Sequence, residues 1–431
     1  MISTSAPAEA GEPTPARSPK RDGLSGVSAS GEEQIGGDSS RDSRWNVLRW
    51  QIGYGSFGVP QAAAPIAFAL IALPLTGSAG AGAGLVFAMT AAQVIGSVPV
   101  SRLGNRFNAV HYLRALIAVR TLGLALVTVL AAVGAPFATL MVAVVAAGLV
   151  NGAAYGFQRT LLNHLVEPGK LPRALGVAAT LNEVSFALSP VLASVLGAFS
   201  PVWAMVAITV LGIGPLVLTP SIPEARGVRE DKSVRRSRAR LPWAVYLWLI
   251  CSVATGASVA AVEVGAVAFA LSFGLAPGWA FIFALALCIG SVLGGVWVSV
   301  RNRMPSTWKV VGFLAASSLG LGVALFEAHL SVTLAGAFVL GIFLPMLGTF
   351  YSLVLDGLVP ADRRAELFAH LRTANALGVM GVSGVLALFG LQLAIVSGLG
   401  VLVFATVLAA LHAMTAGREP RDHRRKRRRV L

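Results

Sequence analysis

FQRTLLNHLVEPGKLPRALGVAATLNE, from Phe157 to Glu183, and FYSLVLDGLVPADRRAELFAHLRTANA, from Phe350 to Ala376, align without a gap at an offset of 193 residues. Leu165 meets Leu358, Thr180 meets Thr373 and Asn182 meets Asn375. A shorter match, IGSV, stands at Ile95–Val98 and again at Ile289–Val292, an offset of 194. Four small apolar residues carry little weight alone. Two matches at nearly the same offset mean that the chain is built twice on one plan.

Both copies hold the same elements. A membrane-spanning helix needs about 20 apolar residues, and apolar spans lie near 52–75, 82–100, 110–133, 137–157, 174–197 and 201–219, then near 243–271, 278–300, 309–326, 332–355, 369–388 and 394–415. A polar basic linker at 222–240 divides them six and six. The fold expected is all-α and integral to a membrane, with twelve transmembrane helices in two pseudo-symmetric six-helix bundles, 44–221 and 241–416.

Composition agrees. The 431 residues are 55% hydrophobic and 12% charged, where soluble domains use about 25% charged residues, too few here to cover a water-facing surface. Residues 1–43, rich in Ser, Gly, Pro and Glu, cannot bury enough apolar surface to offset chain entropy and are expected to be a disordered tail. Residues 417–431 form a polybasic tail. No apolar stretch precedes Trp50, so the first span reads as retained rather than as a cleaved signal. Cys251 and Cys288 both lie in apolar runs, which leaves no disulfide framework and no Cys/His zinc site.

Lys and Arg outnumber Asp and Glu by 34 to 19, for a net charge of +15. In a soluble protein that excess would point to nucleic acid. Here it sorts by topology instead. The turns near 76–81, 134–136, 198–202, 272–278, 327–331 and 389–393 contain no Lys or Arg, whereas the alternate connections hold Arg102 and Arg106, Lys170 and Arg173, the 226–240 cluster, Arg301 and Arg303, and Arg363 and Arg364. The positive-inside rule then places both termini in the cytoplasm, in the inner (plasma) membrane of a cell. The run Arg424–Arg429 is expected to meet anionic lipid headgroups rather than nucleic acid. Only Arg120 is expected deep within a span.

Helix number, half-repeat, basic central linker and cytoplasmic ends together resemble the major facilitator superfamily over roughly residues 44–416. The resemblance implies a monomeric transporter, not an enzyme, that takes a small-molecule substrate and protons, without cofactor or metal, and works by alternating access. In that family the turn after helix two typically reads G-x-x-x-D-R-x-G-R-R and latches the cytoplasmic gate. Arg102, Gly104 and Arg106 match here, while Ser101 replaces the acid and cannot form its ion pair. Proton-coupled exporters of the family carry G-x8-G-x3-G-P-x2-G in helix five. Gly176, Ser185, Ser189, Pro190 and Ala193 fill that spacing with residues still small enough for close helix packing. Against this, the helix-four pattern R-x-x-Q-G of such exporters falls on Gly148–Gly152, which lacks the arginine and has Asn151 in place of the glutamine.

Charges inside a span cost about 2.5–3.5 kcal/mol on insertion scales and so mark function. Glu183, nine residues into the fifth span, is the first candidate for proton coupling or for holding a cationic substrate, with a neutral helix–helix hydrogen bond as the alternative. Arg120 either compensates a carboxylate or fixes structure. Glu263 shares a helical face with Ser252, Thr255 and Val259. Asn151, Tyr155 and Gln158 on the fourth span, and Thr349, Ser352 and Asp356 on the tenth, form further stripes. Asn151, Tyr155, Gln158, Asn182, Thr349 and Ser352 are expected to line the cavity, and Ser101, Arg102, Gly104, Arg106, Asp356 and Asn375 to form the cytoplasmic gate. No G-x4-G-K-[ST] loop is present, so uphill transport would draw on a gradient. The function expected is proton-coupled efflux of a small hydrophobic or weakly cationic compound. Import of a metabolite by symport or facilitated diffusion is the alternative, and a non-transporting membrane sensor a third.

Overall fold

The structure is a computed structural model that describes residues 32–104, 106–166, 171–221, 242–301, 305–358 and 364–417. Of the expected site residues, the surroundings of Gly176, Glu183 and Asp356 lie outside the described residues, as do most of the linker and the polybasic tail. Met1–Arg44 clusters as a unit of its own. Its backbone is helical from Glu32, inside the stretch expected to lack structure. A helix already nucleated by an apolar span extends at little cost per residue.

The main unit, Trp45–Leu431, consists of helices joined by short turns among its described residues. Its first half holds α1 (Glu32–Thr76), α2 (Ala79–Gly104), α3 (Ala109–Ala132), α4 (Phe137–Leu165), α5 (Leu171–Phe199), α6 (Pro201–Leu211) and α7 (Gly214–Leu218). The second holds α8 (Trp243–Glu263), α9 (Ala266–Ser272), α10 (Phe281–Arg301), α11 (Thr307–Leu325), α12 (Leu330–Leu358), α13 (Arg364–Phe389) and α14 (Leu391–Gly417). A 3-10 turn, Pro277–Ala280, leads into α10. α6 with α7 makes the sixth pass and α8 with α9 the seventh, which gives the twelve-helix fold. Among the described residues, eleven passes are long and apolar enough to cross a membrane, and α5 contributes the shorter apolar run Val184–Phe199.

Alternate connections face opposite ways. One face carries the start of the α1 span and the end of α14, and is called here the terminal face. Turns on the opposite face are tight: Gly77, Gly134, Gly274 and Gly390 all have positive φ there, the left-handed cap that glycine adopts without strain. At Gly134 the Ala135 amide reaches back to the Leu130 carbonyl at 2.9 Å, and after Gly274 the Leu275 amide reaches the Ala270 carbonyl at 2.8 Å.

The repeat is legible in packing. A Cβ on Gly96 of α2 would fall on the Leu149 carbonyl of α4, and a Cβ on Gly290 of α10 would fall on the Phe338 carbonyl of α12. Gly341 of α12 is pressed in turn against Leu287. The IGSV match therefore marks one crossing used twice, where only a missing side chain lets the backbones approach.

The break in the sixth pass frees backbone carbonyls that the membrane cannot satisfy. There the Leu211 carbonyl accepts from Ser56 Oγ and the Gly212 carbonyl from Arg120 Nη2 at 3.1 Å. At the terminal-face end of α7, Arg114 Nη2 donates to the Thr219 carbonyl at 2.7 Å and Arg49 Nη2 to the Val217 carbonyl at 3.2 Å, cations at a helix C-terminus as the dipole favours.

Candidate functional site

Between the halves lies a cavity of about 520 Å³. The first half contributes Phe57, Gln61, Met89, Thr90, Gln93, Tyr155, Asn182 and Phe186, from α1, α2, α4 and α5. The second contributes Ser252, Thr255, Glu263, Tyr351, Ser352, Arg372 and Asn375, from α8, α12 and α13. Aromatic and apolar surface thus alternates with hydrogen-bonding groups, and one carboxyl and one guanidinium face the same space, as pockets for small organic molecules require.

The α8 stripe reaches the cavity as a unit. Ser252, Thr255, Val259 and Glu263 all line it, because offsets of three, four and four keep one helical face. Ser252 Oγ donates to the Leu371 carbonyl at 3.2 Å and Thr255 Oγ1 bonds back to its own helix. Glu263 is the last residue of α8, where the helix breaks.

Asn182 and Asn375, the pair related by the repeat, both line the cavity. Each sits at a glycine crossing. A Cβ on Gly58 of α1 would lie 2.9 Å from Asn182 Oδ1, and a Cβ on Gly256 of α8 would lie 3.0 Å from Asn375 Nδ2 and collide with the Asn375 carbonyl. Asn375, expected at the gate, therefore belongs to the cavity wall as well.

Arg120 does not enter the cavity. It is 2% exposed and stacks over Phe57 with 4.1 Å to the ring centroid. Nη1 donates to the Phe57 carbonyl and to Asn151 Oδ1, each at 3.1 Å. Its place is behind the wall, joining α1, α3, α4 and the sixth-pass break. Asn151 is likewise buried, and hands the contact on to Gln93 Oε1 at 2.8 Å and Gln61 Oε1 at 3.3 Å. Gln158 is buried inside the first half, where its carbonyl accepts from Trp50 Nε1 at 2.9 Å. Of the remaining stripe residues, Tyr155 and Ser352 line the cavity, while half-buried Thr349 is not among its lining residues.

The guanidinium that does face the cavity is Arg372, which sequence reading left among the basic residues near a span end. It lies eight residues into α13, about 12 Å along the helix. Its charge stands 3.4 Å over the centroid of the Tyr155 ring from the other half, and Tyr155 shares a hydroxyl–hydroxyl bond with Tyr54. Its signal in the sequence was position: Arg372 precedes Asn375 by one helical turn, on the asparagine's own face.

At the turn after α2, Arg102 and Arg106 are exposed and Ser101 is half-buried. Aromatic packing holds this turn. A Cβ on Gly104 would collide with the Tyr112 ring, Tyr112 stacks on Phe107 with centroids 5.7 Å apart and meets Phe157 edge-on at 5.2 Å, and its hydroxyl donates to the Val100 carbonyl at 2.7 Å. Asn108 Oδ1 caps α3 by accepting from Val110 N at 2.9 Å.

In α5, Ser189 and Ala193 are buried and Ser185 Oγ would stand 3.4 Å from a Cβ on Gly55 of α1. Pro190 has no N–H for the Phe186 carbonyl one turn back. Cys288 Sγ of α10 donates to that carbonyl at 3.7 Å. Nearby, at the opposite face, Gly278 packs on Ala198 and Gly80 approaches the Leu386 carbonyl. The halves are thus closed together on that side.

Residues 52–383 match the sequence profile of the Major Facilitator Superfamily. No curated protein matches the sequence. Solved structures do match. A bacterial homologue of the iron transporter ferroportin in its inward-facing state superposes with a TM-score of 0.66 at 14% identity, over 86% of this chain and 98% of that one. A bacterial homologue of ferroportin in its outward-facing state gives 0.56 at 14% identity, over 86% and 99%. A D-xylose–proton symporter gives 0.65 at 14% identity, over 84% and 96%.

Proposed function

The chain belongs to the Major Facilitator Superfamily, and from that premise we propose that it is a secondary transporter that exports a small organic molecule by proton antiport through the cavity between its halves. One observation carries the reading. Both halves contribute to a single cavity that is lined by a carboxyl, Glu263, and a guanidinium, Arg372. A carboxyl in a space reached alternately from either face can load a proton on one side and release it on the other, and its charge state then selects which conformation is favoured.

The terminal face is read as cytoplasmic, because Arg49, Arg102, Arg106 and Arg114 lie toward it whereas the opposite turns carry no Lys or Arg. With the halves closed at the opposite face, the conformation is read as inward-facing with Arg372 still held on Tyr155 across the cavity, in keeping with the better superposition on the inward-facing relative. Export rather than import is supported by the helix-five spacing Ser185, Ser189, Pro190 and Ala193. Glu263 supports a substrate with a basic group, and Phe57, Phe186 and Met89 an apolar body.

Proteoliposomes with an imposed pH gradient test this. The parent is expected to move a bound compound against its own gradient only when the pH gradient is present. Glu263→Gln is expected to bind it and to lose that dependence. Glu183→Gln in parallel decides between the two acids. Transport indifferent to the pH gradient in the parent would overturn antiport.

A further inference from the structure

We infer that Gln61 and Gln93 form a wall of hydrogen-bond donors that receives a carboxylate of the transported molecule, and that Arg120 fixes this polarity from behind. The inference rests on the reading of the cavity as the substrate site.

A guanidinium has donors only. The end of Asn151 that meets Arg120 Nη1 at 3.1 Å is therefore its oxygen. The Asn151 amide nitrogen faces the other way, with two hydrogens and two acceptors: Gln93 Oε1 at 2.8 Å and Gln61 Oε1 at 3.3 Å. Amide ends are ambiguous in isolation, but a residue that cannot accept settles all three in turn. Both glutamine oxygens are thus turned behind the wall, toward Asn151.

What each glutamine has left is Nε2. Both residues line the cavity, and among the described residues no group accepts from either nitrogen. The two glutamines present N–H bonds, beside the Thr90 hydroxyl and apolar Phe57, Val86 and Met89. Arg120 adds its own charge, which is met by three neutral oxygens and, among the described residues, is hydrogen-bonded by no carboxylate. An anionic acceptor is favoured over a neutral one here, because hydrogen bonds to an ionised partner are the stronger kind. An ammonium group finds no partner in the two amide nitrogens, which only donate. With Glu263 across the cavity, the molecule described has an acidic end toward α1 and α2 and a basic end toward α8.

Arg120 is a positioning residue in this scheme: it touches no substrate and acts through Asn151. The test uses the full chain in lipid nanodiscs, with binding read from tryptophan fluorescence. The probes are aryl compounds, each supplied as the carboxylate and as the methyl analogue of the same skeleton. Every skeleton that binds is expected to bind at least about tenfold more tightly as the carboxylate, the effect of one hydrogen bond to a charged group. The preference is expected to vanish in the Gln61→Leu/Gln93→Leu double variant and to turn against the carboxylate in Gln93→Glu. Arg120→Met is expected to lose the preference while it keeps the affinity for the methyl analogue, a ratio that a merely structural role would not move. If Arg120→Met does not fold, the glutamine variants decide alone. Equal affinity within pairs, or a preference that survives the double variant, would overturn the donor wall and leave the cavity as the substrate site. Failure of every probe to bind would overturn both.

Discussion

The guanidinium of Arg372 on α13 lies 3.4 Å over the ring centroid of Tyr155 on α4, so that one cation–π contact ties the two halves together across the cavity. The contact lies toward the terminal face, and it persists while the halves are closed at the opposite face. It therefore opposes opening toward the termini. Such contacts are worth about 0.5–2 kcal/mol, more as they are desolvated.

A double-mutant cycle on Arg372→Ala and Tyr155→Ala is expected to return a coupling of about 0.5–2 kcal/mol in thermal unfolding. Tyr155→Phe keeps the ring and loses the hydroxyl's bonds to Tyr54 and to Arg372, so it should retain only the ring's share of that coupling. Strictly additive effects of the two alanine variants would exclude the contact.

Glycine crossings set the helix spacing. A Cβ on Gly378 of α13 would fall on the Val253 carbonyl of α8, and Gly378→Ala is expected to cost about 1–3 kcal/mol by overpacking. Gly156 of α4 meets nothing within 4 Å, so Gly156→Ala should gain about 0.5–1 kcal/mol from helix propensity. Melting temperatures in detergent check both, and the two shifts should be opposite in sign.

Cys288 reports on the closed side. It is 8% exposed where α10 meets the Phe186 carbonyl of α5, whereas Cys251 is fully buried within its own half. An impermeant maleimide added at the opposite face is expected to label Cys288 during turnover and to leave Cys251 untouched. Arg372→Ala, which favours opening toward the termini, should slow that labelling.

The architecture was legible because its signals are long and additive: twelve apolar spans, basic residues on alternate turns, and a repeat at 193 residues. The break in the sixth pass was not, since it depends on Ser56 and Arg120 satisfying carbonyls from other helices. At the site, the Ser252, Thr255 and Glu263 stripe could be read from helical period alone. Arg120 stood out as a deep charge, but its partners come from α1, α4 and the sixth pass, and no local pattern places it behind the cavity rather than in it. Arg372 was hidden by the opposite effect. It lies near enough to a span end to pass for an orientation signal, and only packing brings it onto Tyr155. Gln61 and Gln93 carry no charge, and their polarity emerges only once Asn151 is seen between them and Arg120.

Alternating access through this cavity is tested most directly by two distances taken on the same protein. Spin labels at Ser78→Cys and Ser272→Cys span the halves at the opposite face, and labels at Arg106→Cys and Lys309→Cys span them at the terminal face, on a background without Cys251 and Cys288. On binding a transported compound, with the pH changed from neutral to acidic, the first distance is expected to lengthen as the second shortens. Distances that stay fixed, or that change together in one direction, would contradict the account.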